Sequence, residues 1–363
     1  MKATRNLRRP RVLIVGCGDV GMRCVRQLQR RARLYALTHH AERRDELRAA
    51  GVTPIVGDLD VRASLSRLAG LAPTVLHLAP PQKTGDGDTR TRALLAALTA
   101  PRAGHARHLA TNAAGRLRRA QRGIRARKAP SIVPDGGMGA RHAGHAARVC
   151  ARIVYASTTG VYGDCGGAWL DETRPVAPAN ERAKRRVSAE TQLRRAAARR
   201  AVTASIARIP GIYAANRLPL ARLEKRTPAL IDADDVYTNH IHADDLAAIL
   251  LRMAARGRPS RVIHASDDTT LKMGEYFDRV ADAFGVERAP RITRDEAEQQ
   301  LGPMMLSFMR ESRRLVNTRL KRELRVRLRY PEVDDFLRTA AHAGRDADAA
   351  GGRGDAPSGR ANP

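Results

Sequence analysis

The segment RVLIVGCGDVG at residues 11–21 restricts the fold of this chain more than any other feature. An apolar, β-branched run from Val12 to Val15 meets Gly16, Gly18 and Gly21, and Val20, Cys24, Val25 and Leu28 follow at helical spacing. Strand, glycine turn and helix in that order open a βαβ unit whose turn faces a dinucleotide. Gly16 permits the tight turn, Gly18 lets backbone N–H groups approach a pyrophosphate, and Gly21 lets the helix pack closely on the sheet. Asp19 and Val20 open that helix, whose N-terminus attracts the anion, and they count with the glycines as contacts. The expected ligand is a nicotinamide dinucleotide, NADP or NAD.

The same alternation continues. Residues 34–38 read as a second strand, 41–50 as a helix closed by Gly51, 53–56 as a third strand, 61–68 as a short helix and 74–78 as a fourth strand. A helix over 91–99 should lead quickly to the next strand, yet that strand, 152–156, comes some fifty residues later. Strands over 202–209 and 261–265 and a helix over 243–255 complete the pattern, and 273–284 is an amphipathic helix with Tyr276, Val280 and Phe284 on one face. The fold class is therefore α/β, a doubly wound parallel sheet of the Rossmann kind with a smaller C-terminal substrate lobe. Its expected parts are a basic tail (1–10), the first half of the dinucleotide domain (11–100) and a disordered or low-complexity insertion rich in Arg, Ala and Gly (101–149). The second half (150–265) carries a substrate-lobe segment at 216–238, and the C-terminal lobe (266–341) and a disordered tail (342–363) follow.

Charge limits the partners. The formal net charge is +29, and between Pro101 and Arg152 twelve Arg or Lys stand against the single acid Asp135. That would suit a polyanion, but aromatic residues make up only 3% and none is spaced among the arginines for base stacking, so no specific nucleic acid is expected. Polyanion adhesion through the insertion is the lowest-ranked reading. His105 and His108, like His142 and His145, have metal-site spacing but no Cys or carboxylate beside them, so no metal is expected. Cys17, Cys24, Cys150 and Cys165 form no paired motif and suit a reducing compartment. No apolar run is long enough for a membrane helix, so the expected location is the cytoplasm.

Further cofactor determinants follow from strand ends. The position ending the second strand, where an acid would grip the ribose of NAD, is Thr38, and His39, His40, Arg43 and Arg44 come after it. Missing acid and added cations favour NADP over NAD. Asp58 and Leu59 lie just past the third strand, where Asp58 can accept from the adenine amino group, and Leu78, Ala79 and Pro80 end the fourth strand beside the nicotinamide ribose.

Six segments together resemble the extended short-chain dehydrogenases/reductases and the NAD-dependent epimerase/dehydratase family. The carriers are GCGDVG (16–21), GDLD (57–60), HLAP (77–80), IVYASTTGVYGD (153–164), RIPGIY (208–213) and NHIHADDLA (239–247). The resemblance implies that Thr158, four residues before the tyrosine of VYG, polarises the substrate, and it places Pro210 among the cofactor contacts. It also implies an acid/base pair Tyr-x-x-x-Lys, but PANERAKRRVSAE (178–190) puts Arg182 at the tyrosine and Arg186 at the lysine. An arginine keeps its proton at physiological pH, so Arg182 cannot be the general acid or base. Arg186 retains the ability to donate to ribose hydroxyls, and together the two can hold a carboxylate or phosphate. This departure resembles an atypical subgroup, the YeeZ-like proteins, which lack the active-site tyrosine. Substitute proton donors are Tyr162 and, second, Tyr213.

The resulting expectation is an NAD(P)-binding oxidoreductase or epimerase/dehydratase-like protein acting through Thr158 and Tyr162 on a small carbonyl or nucleotide-sugar-like substrate. Its alternative is a non-catalytic dinucleotide sensor. Partners are expected to be that small molecule and a second copy of the chain in a homodimer.

Overall fold

The computed structural model describes residues 9–101 and 150–341. The basic tail, the insertion with its four histidines, and the C-terminal tail thus lie outside the described residues.

Seven short runs of Val, Ile, Leu and Ala become strands β1 (Arg11–Val15), β2 (Arg33–Thr38), β3 (Val52–Val56), β4 (Thr74–His77), β5 (Ala151–Thr158), β6 (Val202–Ile209) and β7 (Val262–His264). All pairings are parallel, and the order across the sheet is β7-β6-β5-β4-β1-β2-β3. In register, Val12 lies beside Leu34 on one side and Thr74 on the other. The chain therefore changes direction of travel between β1 and β4, and a crevice opens at the carboxyl ends of those two strands.

Because side chains alternate across a strand, one set of strand residues feeds each face. Ile14, Leu76, Val154 and Ile263 pack under α1 (Asp19–Leu28) and α5 (Ala243–Arg256), through Cys24, Val25, Ile249 and Leu250. Leu13, Val75, Ile153 and Ile206 pack under α3 (Thr89–Thr99) and α4 (Glu181–Ala198), through Leu94, Ala189 and Leu193. The short α2 (Arg44–Ala49) follows a 3-10 turn, Ala41–Arg43, where a single helix was expected.

Some boundaries move. The first helix stops at Leu28, since Arg30 adopts a left-handed φ of 64° and the chain turns into β2. The expected helix over 61–68 is 3-10 in form, Arg62–Leu68. A third core lies outside the sheet, where Tyr213, Leu223, Tyr330 and Phe336 pack on Tyr276, Phe277 and Val280 of α6 (Met273–Phe284). Two-residue strands stitch this region together: Ala229–Leu230 pairs with Arg291–Ile292, and Tyr237–Thr238 with Leu271–Lys272.

Candidate functional site

The glycine turn sits at the crevice. Gly16 has φ +87°, and a Cβ built on it would lie 2.5 Å from the backbone nitrogen of Ala79. Leu78 and Ala79 donate their N–H groups to the Val15 carbonyl at 2.8 and 2.9 Å, so the end of β4 is clamped onto the turn. A Cβ on Gly21 would stand 3.1 Å from the Gly16 carbonyl oxygen, the close helix-to-turn approach expected of the third glycine. In front of Gly18, its chain neighbours aside, no heavy atom of the described residues lies within 4 Å of where a Cβ would be.

Gly18 is also the N-cap of α1 and supplies no side-chain cap. The first-turn N–H groups of α1 thus receive no side-chain cap from Gly18, and such a helix end is the kind that attracts an anion. The Asp19 carboxylate would repel it if left alone. It accepts from Arg23 Nε at 3.1 Å and from Arg217 Nε at 2.8 Å. Burial opposes ionisation, but these two guanidinium groups hold the Asp19 carboxyl below its ordinary range, and its charge is neutralised in place.

Thr38 is buried at the end of β2, where its Oγ1 accepts from the His40 N–H at 3.2 Å. Arg43 donates to the Cys17 carbonyl at 2.9 Å and forks onto Glu46 at 2.8 Å. It therefore stands against the glycine turn, with part of its charge met by Glu46. Asp58 is half-buried and accepts from the Asp60 N–H at 2.9 Å, Leu59 is buried, and Pro80 is exposed at the end of β4.

Beyond the crevice, the carboxyl ends of β5 and β6 open into a cavity of about 500 Å³. Thr158, Gly160, Arg182, Arg186 and Pro210 line it from the sheet side. The Thr158 Oγ1 accepts from the Gly160 N–H at 3.3 Å, which leaves its own O–H for a ligand oxygen. Arg186 donates to the Ala156 carbonyl at 2.6 Å and the Tyr155 hydroxyl at 3.2 Å. Arg182, at the tyrosine position of the expected pattern, lines the same cavity.

Tyr162 does not reach this cavity. Its side chain is buried in the core at 1% exposure, and its hydroxyl accepts from Arg208 at 2.8 Å and pairs with His264 Nε2. Arg208 in turn forks onto the buried Glu190 at 3.1 and 2.8 Å. Burial pushes the Tyr162 phenol up from its ordinary value. The expectation that Tyr162 carries protons for a substrate is corrected accordingly, since its hydroxyl closes a buried network. Tyr213 does line the cavity, and burial followed by the nearby Asp267 raises its phenol strongly, so it keeps its proton.

Several cavity residues escaped the sequence reading. Glu311 and Arg313 pair at 2.9 Å, and Glu311 Oε1 accepts from Asn180, the N-cap of α4, at 3.2 Å. His240 stacks on Tyr276 with ring centroids 4.3 Å apart. Arg217 links the cavity wall to Asp19 across 198 positions of sequence. Glu311 and Arg313 apart, these pairings join distant positions that nothing local in the sequence marks.

No family model matches the chain, and neither does any curated protein. Solved structures do. A conserved protein of unknown function from Silicibacter pomeroyi shares 26% identity over 92% of this chain and 99% of its own, with a TM-score of 0.65. A dTDP-glucose 4,6-dehydratase from Streptomyces venezuelae, solved with NAD bound, shares 18% identity over 93% and 98%, with a TM-score of 0.64. The UDP-N-acetylglucosamine 4-epimerase from Bacillus cereus shares 13% over 93% and 99%, at 0.62. With its crevice and cavity at the carboxyl ends of one parallel sheet, the chain has the Rossmann-like α/β fold of these dehydratases and epimerases.

Proposed function

We propose that the chain is a nicotinamide-dinucleotide-binding oxidoreductase or epimerase/dehydratase-like protein of the extended short-chain dehydrogenase family, in the YeeZ-like subgroup with an altered Tyr-x-x-x-Lys site. The observation that carries the reading is the uncapped N-terminus of α1, facing open space in front of Gly18 beside a clamped β4. The likeness to a dehydratase solved with NAD supports it. NADP is favoured at the 2′ position, because Thr38 stands where an acid would hold a bare ribose and Arg43 lies against the turn.

The bound nicotinamide would supply reversible hydride acceptance. Thr158 would hold a substrate oxygen through its free O–H, and Arg182 and Arg186 would give a positive wall beside it. A small carbonyl or nucleotide-sugar-like compound is the substrate class. A second reading, a dinucleotide sensor without turnover, is favoured by one feature: residue 182 carries a group that cannot exchange its proton.

The test is a paired titration with NADPH and NADH followed by thermal shift, then incubation of the protein loaded with the oxidised nucleotide with UDP-glucose and dTDP-glucose, and of the protein loaded with the reduced nucleotide with simple aldehydes, while nicotinamide absorbance and product sugar are read. Binding tighter for NADPH, with turnover of one substrate, is expected. Binding with no turnover selects the sensor. Failure of both nucleotides to bind overturns the whole reading.

A further inference from the structure

Five arginines line the cavity, Arg182, Arg186, Arg217, Arg222 and Arg313, against one carboxylate, Glu311. Protein groups engage Arg182, Arg186, Arg217 and Arg313. Arg313 is paired with Glu311, Arg217 with Asp19, and Arg186 donates to the Ala156 carbonyl. Arg222 differs. It is half-buried in the short helix Leu220–Glu224, and its only oxygen acceptor among the described residues is the Pro228 carbonyl at 2.8 Å.

Its other neighbours are soft or apolar. One guanidinium nitrogen lies 3.1 Å from the Met305 sulfur, the group stacks 4.3 Å above the Phe277 ring, and its Nε has no partner. No carboxylate lies within ion-pair distance among the described residues. The Asp235 carboxylate favours the Arg222 charge without pairing with it; it does not line the cavity, and its oxygens accept from the backbone N–H groups of Val236 and Gly274 at 2.8 and 2.7 Å. Burial lowers the Arg222 pKa to about 10, so the group is still a cation at neutral pH. A desolvated charge without a counter-ion is costly, and placed in a cavity wall it favours whichever ligand brings the opposite charge.

We propose that Arg222 is the anchor for an anionic group, a phosphate or a carboxylate, on the small molecule that occupies this cavity. The assignment rests on the reading of the cavity as the substrate site and narrows its substrate to acidic compounds. Thr158 and Arg222 then mark two contacts for one ligand, a reacting oxygen at the sheet and an anion at the second lobe.

Titration calorimetry of the full chain with inorganic phosphate, and separately with acetate, tests this against R222M, whose side chain keeps the packing on Phe277 and Met305. Since a chain of net charge +29 also attracts anions elsewhere, the difference between the two proteins is the quantity read. The expected result is at least about tenfold weaker binding of one anion to R222M, with NADPH or NADH bound as before. A response to phosphate identifies a phosphoryl group and a response to acetate a carboxylate. A second measurement needs no variant. Phenylglyoxal labels Arg222 in the unchanged chain, and the binding anion at about twice its Kd is expected to slow that labelling about threefold, read by peptide mass, while the exposed Arg48 reacts as before. Equal binding to both proteins, or no protection of Arg222 by either anion, overturns the proposal. If phosphate protects Arg222 while neither dinucleotide binds, the function proposed above fails and the anion anchor stands.

Discussion

Gly16 and Gly18 are two residues apart and are required for different reasons. At Gly16 the backbone itself demands glycine: φ is +87° and a Cβ would press on the Ala79 backbone. Alanine there should cost at least about 2 kcal/mol, since a left-handed φ alone costs 1–2, and thermal melting should fall by several degrees with or without ligand. At Gly18 φ is −82° and the space ahead is open, so Gly18→Ala should melt like the parent protein. Its dinucleotide affinity should nevertheless fall at least about tenfold, because the methyl group occupies the pyrophosphate's approach. Equal melting of the two variants, or unaltered affinity in Gly18→Ala, would contradict this division. The glycines were legible in the sequence because a turn motif is local. Tyr162 was not, because its hydrogen-bond partners Arg208 and His264 lie 46 and 102 positions away.

At the scale of elements, strands β1 to β7 were readable because a parallel strand covered on both faces is a continuous apolar run bounded by turn residues. Helix α6 was readable to the residue, because its apolar positions recur with helical period and Gly285 ends it in a left-handed turn. The pairs Ala229–Leu230 with Arg291–Ile292 and Trp169–Leu170 with Arg314–Leu315 were not, since two residues show no period and their partners are remote. Helix α4 matters most to the site, for it carries both Arg182 and Arg186. Beside the apolar packing of Ala189 and Leu193, it is tied to the sheet by an ion pair from its own Glu190 to Arg208 of β6, with both side chains 4% exposed, and by Ser157 Oγ on Glu190 at 2.7 Å. Removing one partner of such a pair leaves a buried charge and costs about 3–5 kcal/mol. Arg208→Met should therefore destabilise the protein by that order in chemical denaturation. A loss below about 1 kcal/mol would show that α4 is held by its apolar face alone.

The whole molecule is joined across its parts by buried neutral histidines. His264, on the edge strand β7, bonds the Val316 carbonyl of the C-terminal region at 3.0 Å through Nδ1, and its Nε2 accepts from Tyr162 in the 3-10 turn that follows β5. Its backbone N–H donates to Glu172 at 3.0 Å. Burial, above all, lowers the His264 pKa to about 4, and His240 and His242 are likewise lowered to about 4. The unfolded chain takes up a proton on each near pH 6.5, whereas the folded one refuses it until about pH 4. Stability contributed by a neutral His264 is thus present above pH 6.5 and is lost as pH falls toward 4. Asp245, Asp267, Glu172 and Asp235 oppose the trend, since burial raises each carboxyl and the folded state then binds the extra proton. A single stability curve mixes both groups, so His264 is best isolated by difference. Lowering the pH from 7 to 5 should cost the parent protein more than His264→Gln, by up to about 2 kcal/mol, measured by urea unfolding at each pH. Parallel pH profiles for the two proteins would mean that His264 takes up its proton in the fold at the same pH as in the unfolded chain, and the Tyr162–His264–Val316 link would then impose no preference for the neutral imidazole.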